Sequence, residues 1–316
     1  MWRYVLKRSI QTAVVLLVMS FLVYILIGLM PGDPLDMLVE SGPGMTPEAM
    51  ASLRAMYGLD QPLPLRYWHW LMALLQGDLG YSRTHAVPVL QVIGPALWNT
   101  CKLMVLSFLV SVALAFVLGI ISALRPGGML DGAISLFAFA GISVPVFWLA
   151  LMMILVFSVK LHWLPASGTY TSGDGSIIDQ ARYLVMPVIT LALSHVGGFT
   201  RFIRSSMIET LRMDHIRTAR AKGNRERRVI FYHALRNAMI PVLTVMALSF
   251  GALFNGALLT ETMFAQPGMG KMIYDSIGSN DFNLALSGLL FAAFVTLLSN
   301  LIADLAYAWL DPRISL

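Results

Sequence analysis

The sequence predicts an all-α membrane protein with six transmembrane helices, and three observations carry that prediction. Of its 316 residues 57% are hydrophobic and only 12% are charged, about half the charged share of an ordinary soluble domain. Six stretches without Asp, Glu, Lys or Arg reach or approach the ~20 apolar residues a helix needs to cross hydrocarbon. They are residues 10–30, 103–124, 133–159, 184–200, 238–260 and 284–303. The ~10-residue alternating segments of an outer-membrane barrel are absent. Helices remain, because lipid offers exposed backbone no partner.

The first span follows Arg3, Lys7 and Arg8, as a signal peptide would. Its 21 apolar residues exceed a signal's apolar core, and Pro31-Gly32-Asp33-Pro34 stands where a small-residue cleavage site belongs. It reads as an uncleaved anchor. The segment before the second span is too long for a turn. Thr46-Pro47-Glu48 reads as N-cap, first position and first-turn acid of a helix ending before Gly58. Residues 64–76 read as a second helix whose Tyr67, Trp68 and Trp70 suit either the headgroup level or a packed cap over the bundle.

Pro145 and Pro187 lie inside or beside spans and are expected to kink them. The fourth span is the shortest; its His195, beside Gly197-Gly198, reads as a packed or hydrogen-bonded residue. Glu261 and Asp304 stand at span ends, where they are expected to reach the interface. Lys and Arg fix the direction. With the N-terminus inside, the inner segments hold 15 of them and the outer ones 7, or 3 without the long segment 31–102. Both termini are therefore expected in the cytoplasm. The outer segments hold 11 of the 17 acidic residues, a mildly acidic outer surface.

Other functions find little support. The net charge of +5 comes largely from one loop, with no nucleic-acid module around it. The single cysteine, Cys101, excludes an internal disulfide and reads as a small apolar residue. The 20 Met read as apolar filler, and the six His lack the i,i+4 pairing of a zinc site. Gly268-Met269-Gly270-Lys271 resembles a phosphate loop, but Ala265 and Met272 stand where Gly and Ser or Thr are needed. No ionisable residue other than His195 lies within a span, so neither an ion relay nor a selectivity ring is visible for a secondary transporter or channel. No paired carboxylates or Ser-His-Asp set marks a membrane enzyme. The bundle reads as a pathway without an engine of its own, binding no cofactor and no metal.

The inner loop 201–237 carries the sharpest local pattern. Asp214 reads as an N-cap and Gly223 as the residue just past a helix, with Arg220 and Lys222 placed late, as the dipole favours. Asn224 then reads as the cap of a second helix running through 225–236 into span five at Pro241. A short helix with small Thr218 and Ala219 on its surface would seat in a groove of another protein. A basic loop serving only the charge rule explains the same residues.

Arg217-Thr218-Ala219-Arg220-Ala221-Lys222-Gly223, followed by His233-Ala234-Leu235-Arg236-Asn237-Ala238 and Pro241, resembles the EAA loop of binding-protein-dependent ABC transporter permeases. It is most similar to the first permease subunit of the dipeptide/oligopeptide/nickel group. The likeness runs nearly end to end. It includes Pro31-Gly32-Asp33-Pro34, Tyr57-Gly58-Leu59-Asp60-Gln61-Pro62, Gly77-Asp78-Leu79-Gly80, Ser143-Val144-Pro145 and Phe147-Trp148. It continues through Thr260-Glu261-Thr262, Phe264, Pro267-Gly268 and Gly270 to Asp311-Pro312-Arg313. Arg217 and Thr218 replace the Glu and first Ala of the general pattern.

The resemblance implies residues 1–98 as an N-terminal span plus a periplasmic amphipathic insertion. Residues 99–316 would form a five-helix permease core, with the coupling loop at about 204–237. It implies ATPase coupling through Asp214, Ile216, Arg217, Thr218, Ala219, Arg220, Lys222 and Gly223, and a periplasmic loop motif of Glu261, Phe264, Pro267, Gly268 and Gly270. The implied partners are a second homologous permease, two cytoplasmic ATPase subunits that bind ATP and Mg, a periplasmic binding protein, and lipid, with no nucleic acid. The implied place is a bacterial inner membrane, and the implied cargo short peptides. The same group also serves nickel chelates, glutathione and oligosaccharides.

Overall fold

The computed structural model describes residues 2–29 and 60–310. The expected helix beginning at Thr46, Pro31-Gly32-Asp33-Pro34, residues 57–59 of the 57–62 motif and the Asp311-Pro312-Arg313 tail lie outside those residues, as does the side chain of Asp304. Eleven helices are named here in chain order. They are α1 (Trp2–Gly28), α2 (Leu63–Leu75), α3 (Val89–Leu124), α4 (Met129–Ser143), α5 (Val146–Met153), α6 (Ile177–Leu211), α7 (Asp214–Ala221), α8 (Glu226–Arg228), α9 (Leu235–Met263), α10 (Met269–Gly278) and α11 (Phe282–Leu310). Wider π-type turns at Ile154–Lys160 and Val229–Ala234 extend α5 and join α8 to α9.

The fold is not purely helical. Tyr81–Ser82 (β1) and Val87–Pro88 (β2) pair antiparallel ahead of α3, a hairpin too short for any periodicity to announce.

Among the described residues, four helices are long and apolar enough to cross a membrane unbroken: α1 from Leu6, α3, α6 and α11. The other two expected spans are bent. Residues 133–159 read as one helix, yet α4 and the α5 segment meet at 104°. The break falls at Val144, which precedes Pro145 and is extended at φ −83, ψ 124, as sterics before proline require. The fifth span bends by 48° ahead of Pro241, which removes a backbone donor there. Pro187 sits inside α6 without ending it.

The packing centre is α3 against α6, with α9 crossing α6 and α4 lying along it; α1 stands aside, paired with α11. Among the described residues, the two largest of four apolar clusters lie toward opposite ends of the bundle. One joins Ile93, Leu103, Leu191, Phe254, Met269 and Leu284 near the hairpin. The other joins Phe199, Ile203, Met207, Val229, Ala234 and Ala238 at the opposite, basic end. His195 packs its ring 6.1 Å from that of Phe199. Outward, α1 presents Val14, Leu17, Val18 and Leu22 largely exposed, the pattern of a helix that faces lipid rather than protein.

Helix α2 runs one residue ahead of the expected 64–76 at each end, with Pro62 at its N-cap and Pro64 in its first turn. Tyr67 is buried, its hydroxyl 2.8 Å from that of Ser20 and its ring edge-on to Phe21 and Tyr24. Helix α2 thus packs against α1, with Trp68 left exposed.

Candidate functional site

The expected coupling residues form α7 at the basic end of the bundle. Its buried residues are Ile216 and Ala219, three apart and hence on one face. Both are buried in the cluster of Ile203, Met207, Val229, Ile230 and Ala234. The expectation that Ala219 lies on the outer surface with Thr218 is corrected: Thr218 is exposed, while Ala219 is only 5% accessible and faces its own bundle.

The helix end follows its sequence signals more closely than its start. Gly223 has φ +75, its N–H donates to the Arg220 carbonyl at 2.9 Å, and the Asn224 N–H reaches the Ala219 carbonyl at 3.4 Å. This is the Schellman pair that closes a helix through a left-handed residue. At the start, the cap position is Met213 rather than Asp214 and lacks a side-chain bond. Asp214 is the first helical residue, where its charge meets the positive end of the dipole, and it accepts from Arg217 at 3.2 Å.

Asn224 is also reassigned. Its amide donates backwards to the Ala219 carbonyl at 2.9 Å, and Arg225 occupies the cap position of α8. The Arg220 guanidinium grips both oxygens of Glu226, at 3.3 and 2.7 Å, tying α7 to α8. His215 Nε2 stands 3.3 Å from the Asn237 amide. What α7 offers outward is a polar, cationic face of His215, Arg217, Thr218, Arg220 and Lys222.

The second group of expected residues lies at the other end of α9, about 40 Å away at 1.5 Å rise per residue. Glu261 does not reach the interface as expected. It is 1% exposed, and its carboxylate caps α10 from within. Thr100 of α3 donates its hydroxyl to Oε1 at 2.6 Å, and the Gly270 N–H donates to Oε2 at 2.7 Å. The Thr100 hydroxyl also accepts the Met269 N–H at 2.8 Å. A β-carbon on Gly268 would stand 2.1 Å from the Glu261 carboxyl carbon, and one on Gly270 2.3 Å from Leu258 Cα. The two glycines are there because the carboxylate and α9 come that close.

Phe264 is buried against Ala150 and Met186, and its carbonyl accepts the Gly168 N–H at 3.0 Å. Pro267 is exposed, and its carbonyl accepts from Asn99 at 2.9 Å. Gln266 donates to the Gly168 carbonyl at 2.6 Å. The motif therefore welds α3, α9, α10 and the 161–176 loop together.

Two further welds carried no sequence signal beyond the residues themselves. Asp281 accepts from the Ser82 hydroxyl at 2.6 Å and from the Thr84 hydroxyl at 2.7 Å, fastening the hairpin to the start of α11. Burial raises its carboxyl, but bonds from Ser82, Thr84 and Arg83 outweigh it and hold the group below the ordinary carboxylate range. At the basic end, Arg204 of α6 forms a two-toothed pair with Asp131 of α4, both contacts at 2.7 Å, joined by the Gly127 N–H and the Ser122 hydroxyl.

Comparison with known proteins bears on both ends. Residues 115–316 match the family described as "Binding-protein-dependent transport system inner membrane component", and residues 1–103 match its N-terminal companion. A probable peptide ABC transporter permease protein, y4tP, of Sinorhizobium fredii is 37% identical over 98% of both chains. A putative peptide permease protein of Brucella suis is 39% identical over 99% of both. The oligopeptide transport system permease protein AppB of Bacillus subtilis is 35% identical over 98% of both. Among solved structures, an inward-facing MetNI methionine ABC transporter chain aligns with TM-score 0.56 at 15% identity, covering 70% of this chain and 97% of that one. An amino acid ABC transporter with histidines gives 0.53 at 15% identity, over 69% and 94%. At such identity these two establish a shared fold.

Proposed function

The chain belongs to the family of binding-protein-dependent transport inner membrane components, and on that premise we propose that it is the permease subunit of an ATP-driven importer of short peptides. The cargo follows from the full-length relatives, which bear peptide-permease names. In this reading the chain performs no catalysis. ATP and Mg are held by two ATPase subunits, a second homologous permease completes the pathway, lipid surrounds the spans, and a binding protein delivers cargo. The basic end faces the cytoplasm, in keeping with the excess of Lys and Arg there.

One observation carries the coupling role. Helix α7 is stiff, closed at its end by Gly223 and anchored through Ile216 and Ala219, while its other face is polar, cationic and exposed. An ATPase subunit gripping that face would move the α6–α9 junction as a body, because motion passes only through an element that does not yield. Sliding contacts at a flexible loop would dissipate it.

The test is reconstitution. Proteoliposomes holding both permeases and the ATPase subunits are expected to accumulate labelled dipeptide only with ATP and binding protein present. Accumulation without the ATPase subunits would sink the proposal.

A further inference from the structure

Between α7 and the fifth span, the segment 225–239 has two faces of different chemistry. Val229, Ile230, Ala234 and Ala238 turn inward and are buried in the cluster at the basic end. Arg225, Arg227, Arg228 and Arg236 are exposed, and so are two aromatic rings, Phe231 at 58% and Tyr232 at 55%. The Arg228 guanidinium stands 5.9 Å from the centroid of the Tyr232 ring. The acidic residues between 210 and 260 are Asp214 and Glu226, and Arg217 and Arg220 engage them. Among the described residues none of the four arginines has an ion-pair partner.

Two observations set this face at the membrane surface. Residues 238–260 hold no Asp, Glu, Lys or Arg. At 1.5 Å per residue they extend about 34 Å, enough to cross a hydrocarbon core of ~30 Å. Arg236 thus stands just outside the core, and Tyr232 only about 9 Å before Ala238 along the helix. The second observation is the bend. The segment 226–239 meets the rest of the span at 48°, so it leaves the core obliquely and gains depth slowly. At headgroup level, a face turned away from the bundle is turned toward lipid.

We propose that the outward face of 225–236 binds anionic phospholipid, with the four arginines on headgroup phosphates and Phe231 and Tyr232 at the boundary with the acyl chains. Guanidinium forks take phosphate oxygens in pairs, and aromatic rings favour that boundary. An ATPase subunit covering this face would need acids opposite four arginines and an apolar seat for Phe231. An anionic bilayer supplies both in one surface. The face lies on the strut that carries α7, tied to it by Arg220 and Glu226, so bound lipid holds the membrane end of that strut. The inference is independent of the cargo.

The full-length chain in non-ionic detergent tests this, titrated with dioleoylphosphatidylglycerol or dioleoylphosphatidylcholine and read by native mass spectrometry. The parent is expected to bind phosphatidylglycerol the more tightly. Arg227→Gln/Arg228→Gln is expected to weaken phosphatidylglycerol binding about 25-fold, or about five-fold for each basic residue near an anionic surface, and to leave phosphatidylcholine binding and the thermal midpoint as in the parent. Arg227→Lys/Arg228→Lys keeps the charge and is expected to retain most of the affinity. Lys160→Gln/Arg182→Gln removes two exposed cations elsewhere and is expected to change nothing. Equal weakening in that control would reduce the effect to net charge and overturn the surface. So would displacement of the lipid by glycerol 1-phosphate at equal concentration, which would mark a site for free anions. Unchanged lipid binding in Arg227→Gln/Arg228→Gln, with loss of co-purifying ATPase subunits, would assign the face to that subunit instead.

Discussion

The Glu261 carboxylate accepts the Gly270 N–H at 2.7 Å, so the last turn of α9 caps the first turn of α10. The two residues are nine apart in sequence, and the carboxylate doing the capping is 1% exposed. Thr100, from α3, closes the arrangement by donating to Glu261 and accepting the neighbouring Met269 N–H. A helix start buried in a bundle needs such a partner, because its free N–H groups find no water there.

Glu261→Ala is accordingly expected to leave Thr100 and the α10 N–H groups short of an acceptor, at about 1–3 kcal/mol per buried group. Gly268→Ala should also destabilise, because its methyl would fall 2.1 Å from the Glu261 carboxyl carbon. Thermal unfolding of the purified transporter reads both. A midpoint unchanged in either variant would contradict the capping role.

Asp281 predicts a pH dependence. Its carboxyl is held below its ordinary value of 3.8 in the fold, so the folded state binds the proton less readily than the unfolded chain. Its stabilisation is fully present above that ordinary value and is lost as pH falls through the lowered folded value. Protease cleavage near the hairpin should be faster in Asp281→Asn than in the parent at neutral pH. The difference should shrink only in strongly acid buffer; a constant difference down to that range would exclude this origin.

The two faces of α7 should separate in mutagenesis. Thr218→Arg or Arg217→Glu alters the exposed face, where surface changes cost about 0.5 kcal/mol or less. Such variants are expected to lose co-purifying ATPase subunits at unchanged thermal midpoint. Ala219→Arg instead forces a cation into a buried contact, at about 2 kcal/mol or more. It should lower the midpoint before any docking effect can be read.

Gly223→Val places a β-branched residue at φ +75, at a cost of roughly 1–2 kcal/mol. Gly223→Asn should recover part of it, since Asn tolerates that region. If the Schellman closure keeps α7 stiff, Val at 223 should lower peptide uptake per ATP hydrolysed more than Asn does. An identical ratio in both would dissociate stiffness from coupling.

Arg204→Met should cost about 2 kcal/mol, because Asp131 keeps a buried charge without its fork. The figure is held low by the 31% exposure of the Arg204 side chain. Arg204→Lys should recover only part of the stability, as an ammonium cannot engage both oxygens in one plane. Full recovery by Lys would show that charge alone matters there.

The sequence by itself determined that this chain is a membrane helix bundle, roughly where its spans lie, and that a short helix ends at Gly223. Those properties are local: hydropathy over ~20 residues, the φ that glycine permits, the extended backbone that proline imposes on its neighbour. Even so, Pro145 announced a kink but not the 104° turn between α4 and α5, whose size depends on what each half packs against. Only the tertiary structure decided which face of α7 is spoken for, because Ala219 looks the same in sequence whether it meets solvent or Ile203 and Met207. Glu261 shows the same division. At a span end it read as a carboxylate reaching water, yet its donors come from Thr100, 161 residues away, and from a turn folded back upon it. A buried charge is tolerated where donors converge from several elements, and that convergence belongs to the fold.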